Sequence, residues 1–190
     1  MYVTFLSGSS AFWNDLQIKY SLLNKKESMA VAMMPVLVLV LSGVVSSSLK
    51  ASLIFWRIKN ALPGHRAFTK LAPLDPRIDM AELRKKLGNL PRAAKDQNTV
   101  WFKLYKKYAN VDVVAKPHGS FLLARDVSTI SLIFAIGGTV GLLLGKIALG
   151  SASFYFGLML AQYVVLAIVA RNQANSFVCN VLVEHLSKKN

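Results

Sequence analysis

Apolar residues are concentrated in three blocks that contain no charged side chain. The blocks cover residues 28–49, 127–145 and 147–170. The length of each block is close to that of a helix that crosses the hydrocarbon core of a bilayer, about 20 residues. A helix in the core of a soluble protein is seldom uncharged over such a length. The pattern predicts a mainly α-helical integral membrane protein with about three transmembrane helices, one N-terminal span followed by a C-terminal two-helix hairpin.

Residues 1–28 show no clear helical or strand period, and a basic pair, Lys25 and Lys26, lies near their end. Two interpretations of this segment stay open. Either the natural chain starts at Met29, or the two lysines and the apolar run form a cleavable signal peptide. The signal peptide ranks lower, because the run continues past Ser46 to Trp56 and no good small-residue cleavage site precedes Lys50. A tilted first span over residues 29–56 is therefore expected.

A basic, proline-rich connector separates the first two blocks. Residues 57–126 contain 15 Lys or Arg against 6 Asp or Glu, a net charge of +9 within a chain of formal charge +14. Short basic loops stay on the cytoplasmic side of a membrane, so the connector is expected in the cytoplasm. Its charge also suits an anionic lipid or an acidic cytosolic protein or ribonucleoprotein as partner. Direct binding of nucleic acid is not expected.

Two short helices and one short strand are predicted in this connector, giving a small basic α(+β) domain. Five of the six prolines fall between residues 61 and 117, which argues against a long helix there. Asp79 is placed to cap one short helix, with Glu82 three residues later and Gly88 placed to end it. The apolar alternation of residues 111–115 predicts the strand.

The second short helix is amphipathic. At helical spacing it places Trp101, Tyr105 and Tyr108 on one face and Lys103, Lys106 and Lys107 on the other. Such a helix suits the headgroup region of an anionic leaflet, and it equally suits packing within its own small domain. Both alternatives stay open, with domain packing slightly favoured.

Small residues recur every fourth position on the two C-terminal spans. The two ridges consist of Gly137, Gly141 and Gly145 on the second span and Ser153, Gly157 and Ala161 on the third. Small residues allow close backbone approach, which matters in lipid because burial of apolar surface supplies little drive for helix association. The ridges are therefore predicted to pack helices, either within the hairpin or between copies of the chain.

Aromatic and cationic residues mark the expected membrane surfaces. Trp56 and Arg57 follow the first span, whereas Arg125 precedes the second and Arg171 follows the third. These four are predicted interface anchors. Asp126 is expected to pair with Arg171 or the residue after it, where the chain returns.

These features divide the chain into seven parts. They are an N-terminal segment (1–28), a first span (29–56), the basic domain (57–126), a second span (127–145), a tight connection (146–151), a third span (152–170) and a cytoplasmic tail (171–190). The tail is expected to return to the basic domain as a short amphipathic helix.

No pattern of catalytic or metal-ligating residues stands out. Cys179 is the only cysteine, which excludes an intrachain disulfide or a cysteine-based zinc site. The three histidines, His65, His118 and His185, lack metal-site spacing, and no phosphate-binding or nucleophile motif occurs. No cofactor, no metal and no enzymatic activity are therefore expected. The spans also lack the acidic residues that transporters usually carry.

Four strings, "ALPGHRAFTKLAPLDPRID", "DQNTVWFKLYKKY", "PHGSFLLARD" and "RNQANSFVCNVL", resemble a group of small bacterial membrane proteins of unassigned function. Some members of similar layout are two-transmembrane effectors of antiphage defence systems, including retron-type systems. The resemblance covers residues 61–183 and implies a membrane-perturbing toxin held inactive by partner components. The group has no catalytic motif, so the resemblance assigns no functional residue.

The expected function is that of a bacterial inner-membrane effector. Its hairpin would oligomerise and permeabilise the membrane under the control of the basic domain. The alternative is a non-toxic anchor or subunit that recruits a cytosolic complex, and an integral membrane enzyme ranks third.

Overall fold

A computed structural model describes residues 33, 36–38 and 40–188 of the chain. The 1–28 segment and seven of the first fourteen residues of the predicted first span lie outside the described residues. The chain divides into two units, Met1–Gly43 and Val44–Asn190. The second unit contains the basic domain and the C-terminal hairpin.

The second unit is built from five helices and a run of short helical turns. The helices are α1 (Ser47–Phe55), α2 (Met80–Leu87), α3 (Ala94–Tyr108), α4 (Asp112–Leu144) and α5 (Leu149–Ser187). Between α1 and α2 lie a 3-10 turn, a π turn and an α turn in succession, at Pro63–Arg66, Ala67–Leu71 and Ala72–Leu74, here called the 63–74 segment.

Two helices are long and apolar enough to cross a membrane, namely α4 and α5. The stretch Val36–Val44 and α1 pass the same test only when counted together as one interrupted span. With 33 and 39 residues, α4 and α5 are about 50 and 60 Å long, against a hydrocarbon core of about 30 Å. The prediction of a mainly helical membrane protein is confirmed at this level, and a large part of each long helix lies outside any bilayer it crosses.

The predicted strand is wrong, and so is the exclusion of a long helix around Pro117. The described part of the chain contains no strand, and residues 112–144 form one helix with Pro117 in its second turn. A proline lacks the N–H that would bond the carbonyl four residues earlier. That carbonyl, of Val113, instead accepts a hydrogen bond from Asn180 Nδ2 of α5 at 2.8 Å. A tertiary contact thus supplies what the local sequence cannot.

The tail predicted over residues 171–190 is the continuation of α5 to Ser187. No glycine or proline interrupts the sequence after Ala170, so nothing locally ends the helix. At the other end of the hairpin, Gly145 and Lys146 turn the chain, and Lys146 has a positive φ of 59°.

The part of the basic domain that precedes α4, residues 57–111, has no complete core of its own. Its buried apolar residues, among them Phe68, Leu83 and Trp101, pack in one cluster with Phe177, Val178, Val181 and Leu182 of α5. The C-terminal part of α5 is therefore the central helix of this domain. The expected return of the tail to the domain is realised by a continuous helix rather than by a separate one.

A second cluster packs α1 against the hairpin. Ile54 and Phe55 of α1 contact a group of small residues on α4 and α5, namely Ala124, Ala167, Ala170 and Ala174. Alanine, like glycine, allows two helices to approach closely. Through this contact the end of α1 is fixed beside the bases of both long helices.

The ends of α2 agree with the sequence prediction. The Asp79 carboxylate accepts hydrogen bonds from the backbone N–H groups of Ala81 at 2.7 Å and Glu82 at 3.3 Å. Gly88 ends the helix with φ 74°, a left-handed conformation that glycine adopts without steric cost. Both local predictions are confirmed because they depend on neighbouring residues alone.

Candidate functional site: the hairpin faces and the hairpin base

On the inner face of the hairpin, α4 approaches α5 closely at Gly138, which is not one of the predicted ridge glycines. A Cβ atom on Gly138 would lie 2.7 Å from a ring carbon of Tyr155, and the Tyr155 hydroxyl donates to the Phe134 carbonyl at 3.1 Å. Gln162 Nε2 also donates to Ser131 Oγ at 3.1 Å. Side-chain hydrogen bonds and one close approach therefore join α4 to α5, as is typical of helix association in lipid.

Both predicted ridges face outward. All six residues are exposed: Gly137, Gly141, Gly145, Ser153, Gly157 and Ala161. A Cβ atom on Gly137, Gly141 or Gly157 would meet no atom within 4 Å. Packing within the hairpin is therefore the wrong alternative for these three glycines. Spacing alone identified the small residues but not the direction in which they point.

The predicted anchors Trp56 and Arg171 are in contact. The Arg171 guanidinium lies 3.7 Å from the centre of a Trp56 ring, a cation–π geometry. Trp56 Nε1 donates to the Tyr163 hydroxyl at 3.1 Å, and that hydroxyl donates to the Leu53 carbonyl at 2.8 Å. Arg171 Nε donates to the Ile54 carbonyl. Arg57 is exposed beside them. Trp56 and Arg171 therefore both join the end of α1 to α5.

The expected pairing of Asp126 with Arg171 is wrong. Asp126 Oδ1 accepts from Lys50 Nζ at 3.2 Å and from Arg125 Nε at 2.8 Å. Lys50 lies on α1 and its side chain is only 6% exposed. In the sequence this lysine resembles an ordinary helix-end residue. The feature of the sequence that could have indicated a special role for Lys50 is its position, since it is the first charged residue after a block of uncharged ones.

The aromatic face of α3 is buried against α5. Trp101 Nε1 donates to the Val178 carbonyl at 3.2 Å, and the rings of Trp101 and Tyr105 each meet Phe177 edge-on, with centroids 5.2 and 5.1 Å apart. Phe177 also stacks on His118 at 4.6 Å. Phe177 is therefore the centre of the cluster, although the helical periodicity selected only the α3 residues.

The remaining residues of the α3 prediction separate by face. Tyr108 is buried, and its hydroxyl lies 3.1 Å from Nδ1 of His185. Lys103, Lys106 and Lys107 are exposed. The structure thus places the aromatic face in the domain core and the lysine face at the surface of the chain.

A cavity of about 350 Å³ opens beside the aromatic cluster. It brings together Trp101, Tyr105 and Arg125, which were predicted to have different roles, and it adds His118 and Phe177. Gly64 forms one wall, where a Cβ atom would lie 2.8 Å from a ring carbon of Trp101. The 63–74 segment can approach α3 this closely only because residue 64 has no side chain.

Potential metal ligands are dispersed or already bonded. No group of three or more His, Cys, Asp or Glu side chains forms a metal-binding cluster among the described residues. Asp75, a candidate oxygen ligand, is held by Arg77 Nη2 at 2.7 Å. This hydrogen bond lowers the pKa of Asp75 to about 2, so its carboxylate is occupied by the guanidinium at neutral pH.

Comparisons with known proteins return nothing for this chain: no family model, no curated protein and no solved structure matches it.

Proposed function

We propose that the chain is a multi-pass protein of the bacterial inner membrane that self-associates through its hairpin and perturbs the membrane. The basic domain, on the cytoplasmic side, would control this activity. The observation that carries the proposal is the outward direction of both small-residue ridges. A helix face that exposes Gly137, Gly141 and Gly157 with open space above each offers lipid little contact area, but it lets a second helix approach to near backbone distance.

The control function is proposed from the continuity of the two long helices. α5 runs without interruption from the hairpin turn to the core of the basic domain. A partner bound to that domain would act on the same rigid helix that carries Gly157. Binding energy can therefore bias the hairpin toward a single or an associated state, provided that the partner prefers one of them.

The proposed orientation predicts where an added cysteine reacts. With Cys179 replaced by alanine, Asn89→Cys in the exposed part of the basic domain should be protected from a membrane-impermeant maleimide in intact cells and labelled after lysis. Lys146→Cys, in the hairpin turn, should show the opposite behaviour. Labelling of Asn89→Cys in intact cells would reverse the orientation.

Self-association predicts a specific effect of Gly141→Ile. A Cβ atom there would meet no atom within 4 Å in the monomer, so the hairpin should fold and accumulate normally. It would push a facing helix away, and a loss of only about 1.4 kcal/mol shifts the association equilibrium tenfold. Crosslinking in native membranes should therefore show at least tenfold less dimer or higher oligomer, and a potential-sensitive dye should show loss of depolarisation on induced expression.

Leu143→Ile is the matched control, since Leu143 is also exposed on α4 but lies on a different face. It should leave crosslinking and depolarisation unchanged. Normal oligomer from Gly141→Ile would remove the ridge from the proposal.

A non-toxic membrane anchor is the second candidate function. It is favoured by the exposed basic face of α3, where Lys103, Lys106 and Lys107 are free of the domain core and suit an acidic cytosolic partner. Expression of the wild-type chain would then cause no depolarisation. Under this alternative Lys103→Gln with Lys107→Gln would release the recruited complex, whereas Gly141→Ile would not.

A further inference from the structure

A small basic cavity lies at the base of the hairpin, between the end of α1, the 63–74 segment and α5. Its volume is about 170 Å³. Four of the seven residues that line it are cations and none is acidic: Arg57, Arg66, Lys70 and Arg171. Three separate elements thus bring like charges together around one concave surface, which raises the question of what neutralises them.

No carboxylate within the described part of the chain forms an ion pair with any of the four cations. The ion pairs there involve Lys50, Arg77, Lys86, Lys116, Arg125 and Lys188. Burial, followed by repulsion from Arg57 and Arg171, lowers the pKa of Arg66. A guanidinium nevertheless stays charged in proteins. No described carboxylate offsets this repulsion, and an anion that enters the cavity would do so.

The side chains of Arg66 and Arg171 are held in position by contacts within the fold. Arg66 Nη1 donates to the Ala61 carbonyl at 3.3 Å, and its guanidinium lies 5.2 Å from the centre of the Phe55 ring. Arg171 is fixed by the Ile54 carbonyl and the Trp56 ring. These contacts leave Arg171 Nη2 buried with no hydrogen-bond partner. A buried donor without a partner carries a free-energy cost, which is larger when the donor is charged, and an oxyanion would remove that cost.

An unbonded acceptor accompanies the unbonded donor. Asn175 also lines this cavity, and its Oδ1 is buried and has no hydrogen-bond partner. A phosphate oxygen suits the cations, and a hydroxyl on the same ligand suits Asn175. Guanidinium groups bind phosphate through paired N–H donors. Trp56 is 59% exposed next to the cavity, and exposed tryptophans favour the headgroup level of a membrane.

We propose that Arg57, Arg66, Lys70 and Arg171 form a binding site for a phosphate group attached to a hydroxyl-bearing moiety. Two sources have this chemistry, the headgroup of an anionic phospholipid such as phosphatidylglycerol and a soluble phosphate ester. The site requires only the contacts around the hairpin base and is independent of whether the hairpin self-associates.

The test measures binding to the full-length protein purified in a neutral detergent. Native mass spectrometry with added short-chain phosphatidylglycerol should show one saturable site, and short-chain phosphatidylcholine should show none. Arg57→Gln with Lys70→Gln, two residues that do not hold the fold, should weaken binding at least tenfold. Lys103→Gln with Lys107→Gln removes the same charge from another surface and should change binding less than twofold.

The source of the phosphate is decided by competition. If glycerol 3-phosphate at millimolar concentration displaces the lipid, the site takes a soluble phosphate ester as well; if it does not, the site is specific for the lipid headgroup. The proposal would be overturned if the two double variants weakened binding equally. It would also be overturned if neither phosphatidylglycerol nor glycerol 3-phosphate bound saturably. Arg171→Gln is a poor single test because Arg171 also holds Trp56 and the end of α1.

Discussion

Phe177→Ala is expected to lower the free energy of unfolding by about 3–5 kcal/mol, the usual cost of deleting a buried phenylalanine ring. Phe177 is 5% exposed and contacts Trp101, Tyr105 and His118 with ring centroids between 4.6 and 5.2 Å away. Its ring thereby joins α3, α4 and α5 at one point. Its removal should therefore detach the basic domain from the long helices while the hairpin itself persists.

Limited proteolysis in lipid nanodiscs measures this separation. Rapid cleavage between residues 88 and 95, with a protected hairpin fragment, is the expected result. Phe102→Ala is the control, because Phe102 lies on the same helix as Trp101 with 44% of its surface exposed, and a substitution at such a site usually changes stability by about 0.5 kcal/mol or less. If both variants are cleaved at the wild-type rate, Phe177 does not hold the domain in place.

Asp126→Asn is expected to destabilise the fold by about 2–3 kcal/mol. The neutral amide would leave Lys50 buried without the carboxylate that it contacts at 3.2 Å. Removing one partner of a fully buried ion pair costs about 3–5 kcal/mol, and the smaller value here reflects the 31% exposure of the Asp126 side chain. The loss should appear as a lower midpoint on titration with dodecyl sulfate in mixed micelles.

Two further variants separate charge burial from other effects. Asp112→Asn breaks an ion pair on the same helix, with Lys116, in which the side chains are 83% and 78% exposed, so its effect should be about 1 kcal/mol or less. Combining Lys50→Met with Asp126→Asn removes the buried charge of Lys50 as well and should recover part of the stability. No recovery in the combined variant would show that Lys50 is not the cause of the loss.

The features that the sequence predicted well depend on residues close together in the chain. The apolar blocks identify the two long helices because a span has a fixed minimum length. Asp79 and Gly88 predict the ends of α2 because capping involves only the first and last turns. The alternation of aromatic and basic residues likewise predicts that Trp101 and Lys103 lie on opposite faces of one helix.

Predictions failed where a distant residue changes the local outcome. Pro117 is compatible with α4 because Asn180, far away in sequence, bonds the carbonyl that the proline leaves free. Lys50 is buried because Asp126 lies beside it in the fold. The residue pattern within either segment could not predict these two contacts, because each contact depends on which surfaces the helices bring together.

Length, charge and spacing along the chain are enough to predict the helical membrane character, the position of the basic domain and the presence of small-residue ridges, because all three are local properties. The packing of the helices was needed to establish that the ridges point outward, that Gly138 rather than Gly141 contacts the neighbouring helix, and that the basic domain depends on α5 for its core. The same packing gathers Arg57, Arg66, Lys70 and Arg171 around one cavity. The physical reason is that a helix presents several faces, and which of them meets a neighbour is set by the free energy of packing over the whole fold.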